Sequence, residues 1–515
     1  MVGLQTVLKL PIKSESAERA NLRHAAGTYK RLLIFCDGTG QQTDAPVASQ
    51  SPKNTGHGAE GADKDWVPPS NVTRLCRVVA YADTVNGKEI DQITFYQNGV
   101  ATGALTSLGE TWSGVFGVGL NENVCEAYVW LCMNWIPGDE IFIFGFSRGA
   151  FTARALSGLI QTMGIIDRSN LGEFHIIYND YTKRNVKDHP KKTLQPGWGV
   201  PGEEIKIKVV GVWDTVKSLG FPKSERARGI KSTITSALAW DNETDPHDAE
   251  TCTNVENAFH ALALDEKRAA FSPTLWSTAD PKKTNLKQCW FPGAHSDVGG
   301  SYKDAQPFDS SDLSLLWMIR QCTPLLAFND SRLWEELRVK GGRPWWGAQP
   351  LHDSYTVEFR LNGQVIRRPG QYFETQNVAV APNTGGPQKE SVHASVRLRL
   401  LRARMLAEHR KNRGPVVETE TMGLKEKADK ETPSMVRSDK LSDKYDCKAM
   451  EGFRLELVNP AEPKDGYKWV KRIDKGKVVE LMEDRLEEKE RKMLAPHVLT
   501  LLDDPSQTGL EFPAP

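Results

Sequence analysis

Gly145-Phe146-Ser147-Arg148-Gly149 sets a serine between two glycines, directly after the apolar run DEIFIFGF (139–146) and directly before a helix-forming stretch from Arg148 to Gln161. A serine at a strand-to-helix junction can serve as a nucleophile, because the sharp turn lifts its hydroxyl out of the backbone and flanking glycines allow the turn without a Cβ clash. The string alone is common; its placement carries the reading. A helix starting at Arg148 brings free N–H groups to the point where an oxyanion would form, the Arg148 N–H first among them.

Serine is a weak nucleophile at its free pKa and needs a base and an acid that orients the base. In strand–helix folds of this kind the order along the chain is serine, carboxylate, histidine, each from a loop at the carboxyl ends of the strands. Asp214 ends the strand-like run IKIKVVGVWDT (205–215), 67 residues after Ser147, and His295 ends LKQCWFPGAH (286–295), 81 residues further on. His260, in a stretch that reads as helical, is the rival base. Asp297 is the rival acid, with organising the Gly-rich turn Val298-Gly299-Gly300 as its other role. Asp37 reads as a cap of the turn that follows it, or as a group ordering the loop below the site. The Arg148 side chain is expected to pair with a structural carboxylate.

These residues need a frame. RLLIFCDG (31–38), QITFYQNG (92–99), DEIFIFGF, IKIKVVGVWDT and LKQCWFPGAH read as strands, the third apolar without alternation, as befits a strand covered on both faces. Helices are expected from Ser70 or Asn71, from about Asn121 to Trp135, from Arg148 to Gln161 and from Ser311 to Cys322. Strands alternating with helices over some three hundred residues indicate an α/β fold with a mainly parallel sheet. Gln41 to Ser70 reads as a long loop.

Composition narrows the class. The chain has 515 residues, 66 Lys plus Arg against 66 Asp plus Glu, and no net formal charge, so no overall field points to nucleic acid. Eight cysteines are too few for a disulfide scaffold, and none has zinc-ligand spacing. No metal or cofactor is expected. MVGLQTVLKLPIKSESAER lacks a sustained apolar core, and no apolar run of membrane-spanning length occurs, so a cytoplasmic protein with at most peripheral membrane contact is expected.

FCDGT (35–39), YQNGVATG (96–103), GFSRGAFTAR (145–154), VVGVWDTV (209–216), FHALALDE (259–266) and FPGAHSDVGG (291–300) together resemble the α/β-hydrolase domain of the type VI secretion phospholipase effectors and their uncharacterised fungal and bacterial relatives. The resemblance covers about residues 30 to 330. It implies an α/β-hydrolase fold, with Ser147 as nucleophile, Asp214 as acid and His295 as base. The family's D-G-T block is usually followed by Trp; here Gly40 follows. The second oxyanion donor is expected among the N–H groups of Gly38 and Thr39.

The resulting expectation is a serine esterase or lipase, with lipid or phospholipid acyl esters as substrates. A catalytically silent scaffold that recruits partners through its charged C-terminal region is the alternative. The catalytic domain is expected over 28–335, with a helical lid or cap over about 216–284, an insertion and basic amphipathic helix over 336–412, and a charged, partly disordered extension over 413–515. The last 127 residues hold 26 basic and 24 acidic side chains, and the basic helix from His393 to Arg413 is a candidate for docking on anionic membrane. Trp240, Trp276, Trp290, Trp317, Trp345 and Trp346 are expected mostly in packing, some of them facing lipid.

Overall fold

The computed structural model describes residues 28–38, 68–99, 120–176, 178, 198–216, 253–276, 282–302, 309–337, 351–355, 363–372, 389–400, 450, 453–458, 467–473 and 478–484. Thr39, nearly all of the loop expected over 41–70, most of the expected lid, residues 401–449 and the chain after 484 lie outside them, as do Trp240, Trp345 and Trp346.

The strands are β1 Arg31–Cys36, β2 Ala82–Val85, β3 Lys88–Gln97, β4 Glu140–Phe146, β5 Ile165–Ile166, β6 Gly199–Val200, β7 Ile207–Trp213, β8 Val255–Ala263, β9 Asn285–Phe291, β10 Glu390–His393, β11 Arg454–Leu457, β12 Tyr467–Arg472 and β13 Val478–Asp484. The helices are α1 Asn71–Val78, α2 Leu120–Asn134, α3 Arg148–Met163, α4 His295–Gly299, α5 Ser310–Cys322 and α6 Asp330–Glu336. Eleven strands form one sheet in the order β11-β12-β13-β10-β9-β8-β7-β4-β1-β3-β2, while β5 and β6 pair separately. From β3 to β13 every neighbouring pair is parallel; β2 at one edge, and β12 with β11 at the other, run antiparallel.

Parallel strands need crossovers, and the crossover helices cover both faces. In β1 the alternation of side chains splits one apolar run between two cores. Leu33 and Phe35 pack with Phe144, Trp213 and Trp317 on the face carrying α1 and α5. Leu32 and Ile34 pack with Tyr128, Ile143 and Leu156 on the face carrying α2 and α3. This mixed α/β architecture, a large, mostly parallel sheet flanked by helices, is consistent with an α/β-hydrolase-like fold. No helix among the described residues is long and apolar enough to cross a membrane.

Three expectations are corrected. The segment read as a lid over 216–284 contains β8, a central strand between β7 and β9. Its run of buried residues from Ala258 to Ala263 lacks the polar alternation that marks a half-exposed strand, which is why it passed for helix. The start of the supposed membrane-docking helix is interior: β10 joins the sheet, and residues 394–400 form a helical segment in which Arg397 and Arg399 are buried. Arg397 is neutralised by Glu483 of β13 at 2.7 Å. The charged C-terminal region, finally, continues the same sheet through β11–β13, so the described part of it is not a separate appendage. Trp276, Trp290 and Trp317 are buried, which leaves none of these three for contact with lipid.

Candidate active site

β4 ends at Phe146 and α3 begins at Arg148, so Ser147 is the entire turn, with φ 57° and ψ −120°. A side chain held in that region costs on the order of 1–3 kcal/mol and persists only where the surroundings impose it. Here they do. A Cβ on Gly145 would overlap the Gly149 carbonyl, and one on Gly149 would overlap the Cys36 carbonyl, so both glycines are required by backbone approaching backbone. The Ser147 N–H donates to the Trp213 carbonyl at 3.1 Å, which pins the elbow to the end of β7.

Asp214 is the next residue after β7. Five described non-glycine residues have positive φ, and Ser147 and Asp214 are two of them. The Asp214 N–H donates to the Ala261 carbonyl at 2.7 Å, and its Oδ1 accepts from the Ala263 N–H at 2.9 Å, so β8 fixes where the carboxylate sits.

His295 opens α4, immediately after the turn that follows β9. Its Nδ1 lies 2.6 Å from Asp214 Oδ2, and both side chains are buried. The ring is packed between Phe146, at 4.7 Å, and Phe271, at 4.9 Å between centroids. Its backbone N–H donates to Glu266 Oε2 at 3.2 Å. Burial pushes the Asp214 carboxyl up, but the Arg367 charge and the His295 contact more than offset this and hold it well below the usual carboxylate range. An ionised Asp214 accepts from Nδ1–H, which leaves Nε2 as the ring nitrogen with a lone pair. Nε2 is buried and has no hydrogen-bond partner among the described residues, Ser147 Oγ included. Phe146, the ring against the imidazole, directly precedes Ser147, so the elbow and the histidine share one packing unit.

The other candidates are placed as follows. Asp37 accepts from Gly38 N–H at 2.6 Å, Ser70 Oγ and Thr73 Oγ1 at 2.8 Å, and Tyr96 Oη at 2.6 Å. It therefore ties the end of β1 to the start of α1, where Ser70 is the N-cap. Burial raises its carboxyl, against the pull of those hydrogen bonds. The Gly38 N–H, expected as an oxyanion donor, is committed to this carboxylate; Thr39 lies outside the described residues. No carboxylate among the described residues pairs with Arg148, contrary to expectation, and burial alone lowers its guanidinium. His260 sits in β8, not in a helix. Burial, then the Arg154 charge, push it down to about 3, and its nitrogens are taken by Thr215 N–H at 3.1 Å and Gln288 Oε1 at 3.3 Å. Asp297 accepts from the Ala294 N–H at 2.9 Å and lies 2.6 Å from His352 Nδ1, so it organises the turn after β9.

Sequence reasoning missed Glu266, Arg268 and Arg367. Glu266 supports the His295 backbone and is itself held by Arg268 Nη2 at 2.9 Å and by Ser354 Oγ at 2.8 Å. It falls within the FHALALDE block, which was the available signal. Arg367 lies in the insertion expected over 336–412, where nothing local marked it. A cavity of about 280 Å³ near Lys30, Trp135 and Arg168 opens at the amino ends of the strands and contains none of these groups.

Residues 30–321 match the family model described as T6SS, Phospholipase effector Tle1-like, catalytic domain. The chain belongs to this family. Ser147, Asp214 and His295 fall inside the matched residues and Arg367 falls outside. A relative in Saccharomyces cerevisiae, the uncharacterized protein YEL023C, is 26% identical over 294 residues, which is 51% of this chain and 38% of that protein. An uncharacterized protein from Pseudomonas aeruginosa is similar in structure with a TM-score of 0.33 at 18% identity, over 62% of this chain and 49% of that one. The Tle1 effector, solved bound to the VgrG spike of the type 6 secretion system, gives a TM-score of 0.28 at 19% identity, over 54% and 52%. The chain thus spans well under two thirds of these relatives.

Proposed function

We propose that this chain is a serine hydrolase that cleaves carboxylic esters, with lipid or phospholipid acyl esters as its substrates. The observation that carries the reading is the 2.6 Å pairing of His295 Nδ1 with Asp214 Oδ2, together with a serine held at a strained strand-to-helix turn next to Phe146, whose ring packs on that imidazole. Membership of the phospholipase effector family supports the lipid-ester part.

In the proposed reaction Ser147 Oγ attacks the ester carbonyl while its proton passes to His295 Nε2. Asp214 stabilises the imidazolium that forms. The imidazolium then protonates the departing alcohol, leaving an acyl-serine, and water repeats the sequence to release the acid and restore the hydroxyl. The Arg148 N–H, first in α3, is the proposed oxyanion donor, a contribution typically of about 10²–10³ in rate. Thr39 is the proposed second donor, given that Gly38 is engaged by Asp37.

A fluorophosphonate probe tests the chemistry. Modification of the wild type but not of Ser147→Ala is the expected result; no modification of either makes the chain a silent scaffold. A panel of ester chain lengths and phospholipid vesicles then tests the substrate class, with fatty-acid release from phospholipid expected.

A further inference from the structure

Arg367 belongs to a strap, residues 363–372, that lies beyond the family-matched part of the chain. The strap is laid against the loop after β8: Val365 N–H donates to the Lys267 carbonyl at 2.9 Å, and Ala269 N–H to the Gly363 carbonyl at 3.2 Å. From it the buried Arg367 side chain reaches inward. Nη1 donates to Asp214 Oδ1 at 2.5 Å and to the Ala263 carbonyl at 2.5 Å; Nη2 donates to Asp214 Oδ2 at 3.0 Å and to the Phe271 carbonyl at 2.7 Å. One guanidinium therefore joins the carboxylate, the end of β8 and the residue whose ring packs on His295.

A buried carboxylate paired with an imidazole alone draws a proton onto that imidazole, because two opposite charges in a poorly solvated site are more stable than one. A protonated imidazole is no base. A fixed cation on the far side of the carboxylate removes that demand, and its planar fork holds both oxygens in one orientation. Resting on the hydrolase reading above, we propose that Arg367 is the positioning residue of the acid–base pair: it fixes both oxygens of Asp214 and supplies the counter-charge for that carboxylate behind His295.

The other charged or titratable groups around the pair are His260 in β8, Glu266 and Arg268 after it, Asp297 with His352 at α4, and Tyr372 in the strap. Among the described residues, Arg367 is the group that contacts both Asp214 oxygens.

The test uses the full chain and four variants: Arg367→Met, Arg367→Lys, Asp214→Asn, and Asp214→Asn with Arg367→Met. Arg367→Met is expected to lower kcat by about 100-fold, as misplacement of a reacting group does, with KM little changed. Arg367→Lys recovers part of the lost kcat but not all of it, because an ammonium supplies the charge without the fork. In the double variant, which removes both buried charges and so is the one best able to fold, kcat is no lower than in Asp214→Asn alone. Unchanged kcat in Arg367→Met, no recovery in Arg367→Lys, or additive losses in the double variant overturn the inference while Ser147 labelling still upholds the hydrolase. If wild-type Ser147 does not react with the probe, both fall together.

Discussion

The two halves of the proposed active site are held by different forces. The nucleophile half is held by backbone and contact: Ser147 is turned out by Gly145 and Gly149 against the end of β1, tied by one N–H to β7, and no ion pair among the described residues takes part. The acid–base half is held by charge: Asp214 between Arg367 and His295, and Glu266 between Arg268 and the His295 backbone. Steric positioning is independent of pH, whereas ionic positioning fails when its groups titrate. Each half should therefore break in its own way.

The largest expected effect is chemical. Ser147→Ala should remove nearly all activity, about 10⁴–10⁶ in kcat, as loss of a nucleophile does elsewhere. Ser147→Gly should do the same while raising stability by about 1 kcal/mol, because glycine accepts the positive φ at no strain; thermal unfolding of the two variants measures that difference. Next is Gly149→Ala, whose new methyl meets the Cys36 carbonyl. Here about 3 kcal/mol of stability should be lost, equally at pH 4 and pH 8, since nothing in the clash titrates. A pH-dependent loss would show that the nucleophile half is not held by contact alone.

The acid–base half should respond to pH. Burial raises the Glu266 carboxyl, but Arg268 and its neighbours more than compensate and bring it down to about 2. A depressed carboxylate contributes stability that is present above its unfolded value of about 4.5 and lost as pH falls towards 2. Glu266→Gln should therefore lower stability by about 2 kcal/mol at pH 7 and have little effect at pH 2, by urea unfolding at both. Beyond the proposed triad, Glu390 of β10 behaves oppositely: burial pushes it up to about 7, against hydrogen bonds from Gly370 N–H and Trp290 Nε1. In this case the unfolded chain ionises first, so stability falls as pH rises from about 4.5 to 7. Glu390→Gln should give the smallest effect, a gain of about 1 kcal/mol at pH 8 and none at pH 4.

This division also explains what was legible. The elbow could be read from five consecutive residues because its requirements are local: an apolar strand, two glycines without Cβ atoms, and a helix start. Asp214 and His295 could be ranked above their rivals because each ends a strand, and a strand end is marked by its own run of sequence. β8 was misread because residues buried on both faces lose the alternation that marks a strand, and Phe259, Leu262 and Ala263 fit either period. Arg397 looked solvated because its neutralising partner, Glu483, lies 86 residues away. Arg367 was invisible for the same reason: an arginine in an insertion means nothing until the carboxylate 153 residues before it is beside it.

The amino-acid sequence by itself determined the α/β fold class, the strand-to-helix turn at Ser147 and the strand ends that carry Asp214 and His295, because strand runs, turn glycines and helix starts are set by neighbours a few residues apart. Only the tertiary structure decided that the charged C-terminal stretch continues the sheet, that Gly38 serves Asp37, and that the acid rests on Arg367. Ionic and hydrogen-bond partners are chosen by proximity in space, and no short-range pattern records which distant group will arrive.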